Sequence, residues 1–484
     1  MSVLSIGFLV FLLFFAFLYY LCPGRMKPYV LLAASIAFYL TFDWRYFLFL
    51  LFSVTTVWLG AILLEKYQEK YKKIVAVAVL IANIGLLAIV KYLPYTVNQI
   101  FTLIASKSVG VSFLVPIGIS FYTLQVCGYF IDVYRGQYMA EKNFFKFMLF
   151  ASFFPLILQG PISRYSQIAP QLYRTEKCEA VYDNLTTGAQ LMLWGFFKKL
   201  VIADRAAIFV AEVFTDYQQF DSLTLLFAVV CYTLQIYTDF SGCVDICRGA
   251  GGLFGIDIID NFNHPYFALS IQDFWRRWHI SLSSWFRDYI YIPLGGNRKG
   301  TIRKYINVLI VFFTSGLWHG VGIHFIVWGV LHGVYQIIGA VTLPAKKWVC
   351  DRLRIDRQSV LFRNLQRVIT FILINISWVF FRAENTRIAC GILYDLLRKW
   401  NSVNVTALTS AGLDLPDLIV LAVATAFLFM VSLVQYKGVI IQKSLAASPI
   451  PIRWSVYLLG FLVVLIFGVY GPGYSSASFI YMNF

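Results

Sequence analysis

The sequence predicts an all-α protein that crosses a membrane many times. Of its 484 residues, 60% are hydrophobic and only 13% are charged, whereas a soluble domain carries about 25% charged residues. Long uncharged stretches support the same class. Residues 1–22 contain no charged side chain, and as a helix they would extend about 33 Å, close to the thickness of one hydrocarbon core.

Further apolar runs continue this pattern to the end of the chain. Clear runs cover 28–42, 46–64, 74–90, 222–238, 305–318, 325–345, 418–436 and 454–484. Less regular runs lie near 110–131, 144–159, 187–203 and 366–381. We therefore expect about eleven to thirteen transmembrane helices. Residues 1–22 are expected to remain as the first helix, because neither a basic leader nor a small-residue cleavage site frames them.

The distribution of basic residues indicates a membrane protein rather than a nucleic-acid-binding one. The formal net charge is +16, but Lys and Arg gather in loops such as 132–146, 174–205 and 346–367. Short basic loops are typical of the cytoplasmic side and attract anionic lipid head groups. We therefore expect membrane lipids as partners and no nucleic acid. The same charge would also attract an acidic donor, either a phosphorylated coenzyme or an acidic carrier protein.

The chain is expected to form a single membrane-embedded domain, residues 1–484, with N-terminal helices over 1–110, a core over 111–342 and C-terminal helices over 343–484. No low-complexity linker divides it. Most of the eight cysteines lie in apolar segments, where a thiol packs as a small hydrophobe. Cys243 and Cys247 would share a helical face, but no further ligands lie nearby at suitable spacing, so we expect no metal site.

The central third of the chain has an unusual polarity. Residues 239–300 contain Asp239, Asp245, Asp257, Asp260, Asp273 and Asp288, and eight glycines interrupt the same stretch. A straight helix facing lipid does not carry this many charged side chains. The glycines indicate irregular backbone, which is tolerated in a membrane only inside protein or along a cavity. We expect short helices and re-entrant turns that form a cavity wall. Asp239 is a candidate for lining this cavity, and a buried ion pair with an arginine is the alternative.

All five histidines lie between residues 264 and 332, and two of them occupy aromatic boxes, at 275–279 and 316–320. Imidazole is the side chain best suited to proton transfer near neutral pH. For His319 the residues leave three interpretations open, namely a packing hydrogen bond, a proton relay in a transporter, and a general base. For His279 the structural alternative is a hydrogen bond to Asp273 or Asp288. His264 is expected in a loop, and His324 and His332 as helix-packing groups.

Several stretches together resemble the membrane-bound O-acyltransferase family, in its bacterial polysaccharide branch. They are 115–122, 159–162, 195–199, 237–242, 273–296, 316–320, 378–383 and the aromatic tail 479–484. The resemblance extends over essentially the whole chain, and 273–296 together with 316–320 are its most specific parts. It implies a helical bundle around a central tunnel through the membrane.

The resemblance also implies roles for particular residues. The family's two signature histidines match His319 and His279, so His319 would be the general base and His279 would orient a substrate or face His319. Three further residues are candidates for the tunnel wall, namely Trp318, Trp278 and Asp288. An interfacial aromatic belt is the plain structural alternative for the tryptophan at 278.

The implied activity is transfer of an acyl group, with acetyl favoured, from a cytoplasmic thioester such as acetyl-CoA to an exported or cell-wall polysaccharide. No permanently bound cofactor is expected. The implied location is the bacterial inner membrane, and an extracytoplasmic transferase is expected as a partner. Three alternatives stay open: D-alanyl transfer towards teichoic acid from an acidic carrier protein, a transporter or channel, and a non-catalytic membrane scaffold.

Overall fold

The computed structural model describes residues 1–105, 114–176, 180–402, 404 and 406–470. The described chain is helical and forms no β-strand, apart from one isolated bridge between Phe262 and Trp278. The fold class predicted from the sequence, an all-α polytopic membrane protein, is confirmed. The aromatic tail at 479–484 lies outside the described residues.

The helices of the first half, in chain order, are α1 Ile6–Leu21, α2 Lys27–Leu40, α3 Trp44–Lys66, α4 Glu69–Ala105, α5 Ile119–Tyr134, α6 Phe144–Ser152, α7 Phe154–Ile157, α8 Tyr165–Leu172, α9 Val181–Phe196, α10 Asp204–Thr215 and α11 Ser222–Gly252. A π-helical segment, Phe197–Ala203, joins α9 to α10.

The helices of the second half are α12 Ile271–Arg277, α13 Ile280–Phe286, α14 Thr301–His319, α15 Ile323–Val341, α16 Leu343–Arg352, α17 Val360–Arg382, α18 Thr386–Arg398, α19 Ala407–Ser410, α20 Leu415–Tyr436, α21 Ile441–Ala446 and α22 Ile450–Phe467. A second π-helical segment, Arg287–Tyr291, follows α13 directly.

Seven helices of the described chain are long and apolar enough to span a membrane, namely α3, α4, α11, α15, α17, α20 and α22. Several other runs that were expected to span form shorter or interrupted helices. The run at 144–159 divides into α6 and α7 at Phe153, whose backbone leaves the helical region just before Pro155. The run at 187–203 changes from α-helix to π-helix at Phe197.

The chain divides into two compact units, one formed by residues 1–192 with 244–259, the other by 193–243 with 260–484. In the first unit, α3 packs against α4 and α5, and α2 packs against α6. In the second unit, α14 packs against α15, which also contacts α17. The division of a single domain near residues 110 and 342 stays a prediction.

Only the later part of the polar central segment folds as the short helices that the sequence predicts, because residues 239–252 continue the long helix α11. Between residues 260 and 300 the chain forms α12 and α13, each of seven residues, and the π-helical segment. Ser270 begins α12 by accepting a hydrogen bond from the backbone N–H of Asp273. This side chain satisfies one of the donors that a helix start leaves unpaired.

Glycines set the close approach of α14 to α15. A Cβ atom added at Gly316 would lie 2.5 Å from the carbonyl oxygen of Phe325, and one at Gly329 would lie 2.3 Å from that of Phe312. Such contacts require glycine, because no larger residue fits without moving backbone. Small residues that allow helix backbones to meet are typical of packing inside membranes, where van der Waals contact replaces the hydrophobic effect.

We expect Gly329→Ala to lower the thermal stability of the detergent-solubilised protein, because the added methyl group must push α14 away. Overpacking of this kind typically costs about 1–3 kcal/mol. The matched control is Gly339→Ala on the same helix, where an added Cβ meets nothing within 4 Å. Fluorescence-monitored melting of both variants checks the expectation, and equal melting temperatures would contradict it.

Candidate active site

His319 is the last residue of α14 and lies in a buried aromatic enclosure. Only 3% of its surface is exposed. The centroid of its ring lies 4.9 Å from that of Trp318, 4.9 Å from that of Trp328 on α15, and 5.3 Å from that of Phe381 on α17. Three helices of the second unit therefore supply the walls around one imidazole.

The position of His319 at a helix end has an electrostatic consequence. The C-terminus of an α-helix carries a partial negative charge, which stabilises a cation in the last turn. An imidazole that accepts a proton becomes such a cation. The end of α14 therefore presents the partial negative charge of its last carbonyl groups near the imidazole of His319.

His279 is held between α12 and α13 in a left-handed backbone conformation, with φ 44° and ψ 55°. Hydrogen bonds on either side fix it: the N–H of Asn263 donates to the carbonyl of Arg277 at 2.9 Å, and the N–H of Ile280 donates to that of Asn261 at 3.1 Å. A non-glycine residue in this region costs about 1–3 kcal/mol, and such strain concentrates at functional sites.

The structure brings His279 and His319 to the same indole. The ring of His279, which is 1% exposed, lies 6.3 Å from that of Trp318 between centroids, and Trp318 is in turn the neighbour of His319. On its other side His279 packs edge-on against Phe240, at 4.7 Å. The two histidines of the aromatic boxes and one candidate wall residue therefore form a single cluster.

Asp239 belongs to a buried charge cluster with Lys199 and Asp204. The Nζ atom of Lys199 lies 2.5 Å from a carboxylate oxygen of Asp239 and 2.8 Å from one of Asp204. All three side chains are at most 2% exposed. Sequence reasoning anticipated an arginine as the buried partner of Asp239, and the structure places a lysine there.

Lys199 is the functional candidate that sequence reasoning missed. It lies in the π-helical segment, and its neighbour Lys198 donates from Nζ to the hydroxyl oxygen of Ser241 at 3.0 Å. The available signal was two adjacent lysines inside the otherwise apolar run 187–203. Charges within such a run are costly unless the fold pairs them.

Two other candidates lie in different surroundings. Trp278 is 1% exposed and packs in an aromatic core, with its ring centroid 5.0 Å from that of Phe262 and 5.2 Å from that of Trp378. Asp288 is half-buried and accepts a hydrogen bond from Arg287 at 2.8 Å. Asp273 pairs with Arg277 at 2.9 Å. Both carboxylates that were considered as partners of His279 thus bind arginines.

His332 is a packing histidine whose hydrogen bonds define its tautomer. Trp275 donates from its indole N–H to Nδ1 at 3.2 Å, and Nε2 lies 2.9 Å from the hydroxyl oxygen of Ser377. That hydroxyl donates to the carbonyl of Ile374, so Nε2 carries the proton. The neutral ring joins α12, α15 and α17 behind the enclosure of His319. His264 lies in a loop in front of a short 3₁₀ turn.

The arrangement suits proton transfer in a site that excludes water. Within the described ranges, no group of three or more His, Cys, Asp or Glu side chains converges as a metal site requires. The chemically distinctive elements are the two buried imidazoles around Trp318. Aromatic walls keep water away from a reactive intermediate, and a buried imidazole can take a proton from a hydroxyl group.

Fold and site together define a polytopic membrane protein with two buried imidazoles beside one indole, His279 between two short helices and His319 among three long ones. The sequence model of the membrane-bound O-acyltransferase family matches residues 139–379.

Three relatives show how far the similarity extends. The probable alginate O-acetylase of Pseudomonas aeruginosa is 35% identical over 86% of this chain and 79% of its own length. The peptidoglycan O-acetyltransferase of Helicobacter pylori is 35% identical over 75% of this chain and 72% of its own length. The teichoic acid D-alanyltransferase of Bacillus subtilis is 29% identical over 46% of this chain and 58% of its own length.

The chain belongs to the membrane-bound O-acyltransferase family. It is therefore an acyltransferase and a multi-pass protein of the bacterial inner membrane. The roles of His319, His279, Trp318, Asp239, Trp278 and Asp288 remain predictions at this stage.

We expect Lys199→Met to destabilise the protein strongly, because it leaves two buried carboxylates facing each other without their cation. Removing one partner of a buried ion pair typically costs about 3–5 kcal/mol. The control is Lys72→Met, which removes a lysine paired with the exposed Glu69 at 2.8 Å. The yield of folded protein by size-exclusion chromatography checks the difference. A folded yield for Lys199→Met equal to that of the control would refute the buried pairing.

Proposed function

We propose that this chain transfers an acetyl group from a cytoplasmic thioester to a hydroxyl acceptor on the other side of the membrane, for O-acetylation of an exported or cell-wall polysaccharide. The observation that carries the proposal is the buried pair of imidazoles that both neighbour Trp318, in a chain that is similar over 86% and 75% of its length to two O-acetylating proteins.

In this mechanism His319 is the general base. The acceptor oxygen adds to the thioester carbonyl carbon while the imidazole removes the hydroxyl proton. Collapse of the tetrahedral intermediate breaks the carbon–sulfur bond, and the protonated imidazole gives its proton to the departing thiolate. Positioned proton transfer of this kind contributes roughly 10²–10⁴ in rate. Alignment of donor and acceptor supplies the remainder.

We propose an acetyl rather than a D-alanyl group because the O-acetylating relatives match a larger fraction of this chain than the D-alanyltransferase does. The O-acetylating relatives match 75% and 86% of this chain, and the D-alanyltransferase matches 46%. Acetyl-CoA is the simplest donor consistent with this choice. A tunnel through the bundle, and a separate extracytoplasmic transferase that receives the acetyl group, complete the proposed pathway.

We expect His319→Gln to reduce acetyl transfer by roughly 10²–10⁴, because glutamine keeps a polar group but cannot act as the base. The assay uses purified chain in lipid nanodiscs, isotopically labelled acetyl-CoA and a polysaccharide acceptor together with its extracytoplasmic transferase. The matched control is His324→Gln, five residues further along and in contact with the ring of Phe325.

Two outcomes would count against this role. Full activity in His319→Gln would exclude general-base catalysis by that residue and would favour a scaffold. Donor-independent solute flux through the nanodisc protein, with no acetyl transfer by the wild type, would favour a transporter instead.

We expect His279→Asn to lower transfer by roughly 10–100-fold while the protein stays folded. Asparagine tolerates the left-handed backbone region, so the loss would come from the missing imidazole beside Trp318 and from misplacement of the reacting groups. His279→Ala is the comparison, because alanine in this backbone region adds strain. If His279→Asn retained wild-type activity, the contribution of His279 would lie in the backbone alone.

A further inference from the structure

The first unit contains a small pocket beside the turn that joins α1 to α2, where three separate segments of the chain meet. Its lining comes from residues 25–32, from the first residues of α6 and from the segment that follows α8. The volume is about 140 Å³, below the range of about 300–1,000 Å³ that encloses a whole small molecule. The pocket therefore suits a group of a few heavy atoms.

Hydrogen bonds and one close backbone approach hold the three segments together around the pocket. Tyr173 donates from its hydroxyl to the carbonyl of Lys146 at 2.8 Å. Lys27 donates from Nζ to the carbonyl of Glu176 at 3.1 Å. Gly24 lies so close to the segment after α8 that an added Cβ would overlap a carbonyl oxygen there. The pocket is therefore formed before any ligand arrives, as binding sites usually are.

The pocket has a positive electrostatic character. Arg25 and Lys146 line it, and no acidic side chain does so among the described residues. Neither of these two cations takes part in an ion pair within the described part of the chain. Glu141, five residues before Lys146, accepts a hydrogen bond from the hydroxyl of Tyr165 at 2.8 Å and lies outside the lining. Both cations are thus available to an anion, and guanidinium and ammonium groups bind phosphate well.

The wall of the pocket changes from charged to apolar along two helices. Arg25, Tyr29 and Leu32 line it at spacings of four and three residues, which place them along one face. Leu32 is therefore about 10 Å further along the axis than Arg25. On α6, Leu149 lines the pocket one turn after Lys146. Both helices begin at the pocket, so a ligand with a phosphate and an attached hydrocarbon chain matches the two walls.

The surroundings of the pocket are those of a membrane interface. Tyr29 is more than half exposed, and tyrosines concentrate at the level of the lipid head groups. Four basic residues lie in the segments that meet at this end of the unit, namely Arg25, Lys27, Lys146 and Arg174. Short basic segments are typical of the cytoplasmic side, whose leaflet carries anionic lipids. The pocket therefore faces a supply of anionic head groups.

We propose that this pocket binds the head group of one anionic phospholipid, with its phosphate between Arg25 and Lys146 and its acyl chains against the apolar residues deeper along α2 and α6. Basic pockets between membrane helices are suited to such head groups. A zwitterionic lipid also carries a phosphate, but its ammonium group would be repelled by the two cations. The bound lipid joins α2 to α6 and stabilises the first unit by mass action. This site is independent of acyl transfer at the histidines.

The test compares phosphatidylglycerol with phosphatidylcholine of the same acyl chains. Binding of each lipid to the purified full-length chain is measured by native mass spectrometry after release from detergent. We expect wild type to bind one phosphatidylglycerol molecule at least roughly tenfold more tightly than phosphatidylcholine, since hydrogen bonds to charged groups contribute that much. Arg25→Gln combined with Lys146→Gln should abolish the difference.

The matched control is Lys66→Gln combined with Lys142→Gln, which removes an equal charge from exposed lysines of the same unit outside the lining. Arg25 and Lys146 are exposed as well, so both double variants should fold, and their melting in phosphatidylcholine alone checks this. Loss of selectivity confined to the pocket variant supports the site. Equal affinity of wild type for the two lipids would overturn it. An unchanged preference in the pocket variant, or an equal loss in the control, would overturn it too.

Competition distinguishes a lipid from a soluble phosphate ester and from the acyl donor. Glycerol phosphate carries the phosphate without acyl chains, and acetyl-CoA is the soluble thioester. Retention of phosphatidylglycerol against an excess of either compound supports the lipid site. Displacement by glycerol phosphate would show a site for a soluble phosphate ester, and displacement by acetyl-CoA would show a donor site, so either result would overturn the proposal. Acetyl transfer enters neither measurement, so the outcome does not depend on the proposed function.

Discussion

The structure depends on one constraint, the close contact of α14 with α15 that leaves room for a single imidazole among aromatic rings. Gly316 and Gly329 allow the two helix backbones to meet, and the ring of Trp328 on α15 then reaches that of His319. The helix α17 completes the enclosure through Phe381. Behind it, the hydrogen bonds of Trp275, His332 and Ser377 join α12 to two of these walls, α15 and α17. A reactive imidazole inside a membrane protein requires such support, because any misplaced polar group there lacks water as a substitute partner.

Basic side chains of the second unit occupy two kinds of surroundings, a buried ion-pair cluster and the lining of an open cavity. Lys199 is fully enclosed and is neutralised by Asp204 and Asp239, so its role is to hold the π-helical segment against α11. Arg276 and Lys304 instead face an open cavity and remain available to an anion.

The sequence was sufficient for the membrane class, the short helices within 260–300 and the packing role of His332, because these follow from apolar runs, dispersed aspartates and local spacing. It was wrong for residues 239–252, which continue the long helix α11. Three features depended on long-range contacts that spacing does not encode. Lys199 meets Asp239 across forty positions of sequence. His279 adopts a left-handed backbone because its neighbours are held by residues distant from the helices, with Ile280 donating to the carbonyl of Asn261 and Arg277 accepting from the N–H of Asn263. The run 144–159 predicts one continuous span, yet a local break at Phe153 divides it into two helices. The contact of both histidines with Trp318 likewise required the folded chain.

The central claim is that acyl transfer takes place at the ring of His319. A structure of the full-length chain in nanodiscs, determined with a non-hydrolysable acetyl thioester analogue, tests it most directly. The account predicts that the acyl carbonyl lies beside Trp318. It also predicts that the carbonyl is close enough to His319 for one acceptor oxygen to contact both the acyl carbon and the imidazole. An acyl group bound away from the end of α14, with the aromatic enclosure unchanged around an inaccessible imidazole, would contradict it.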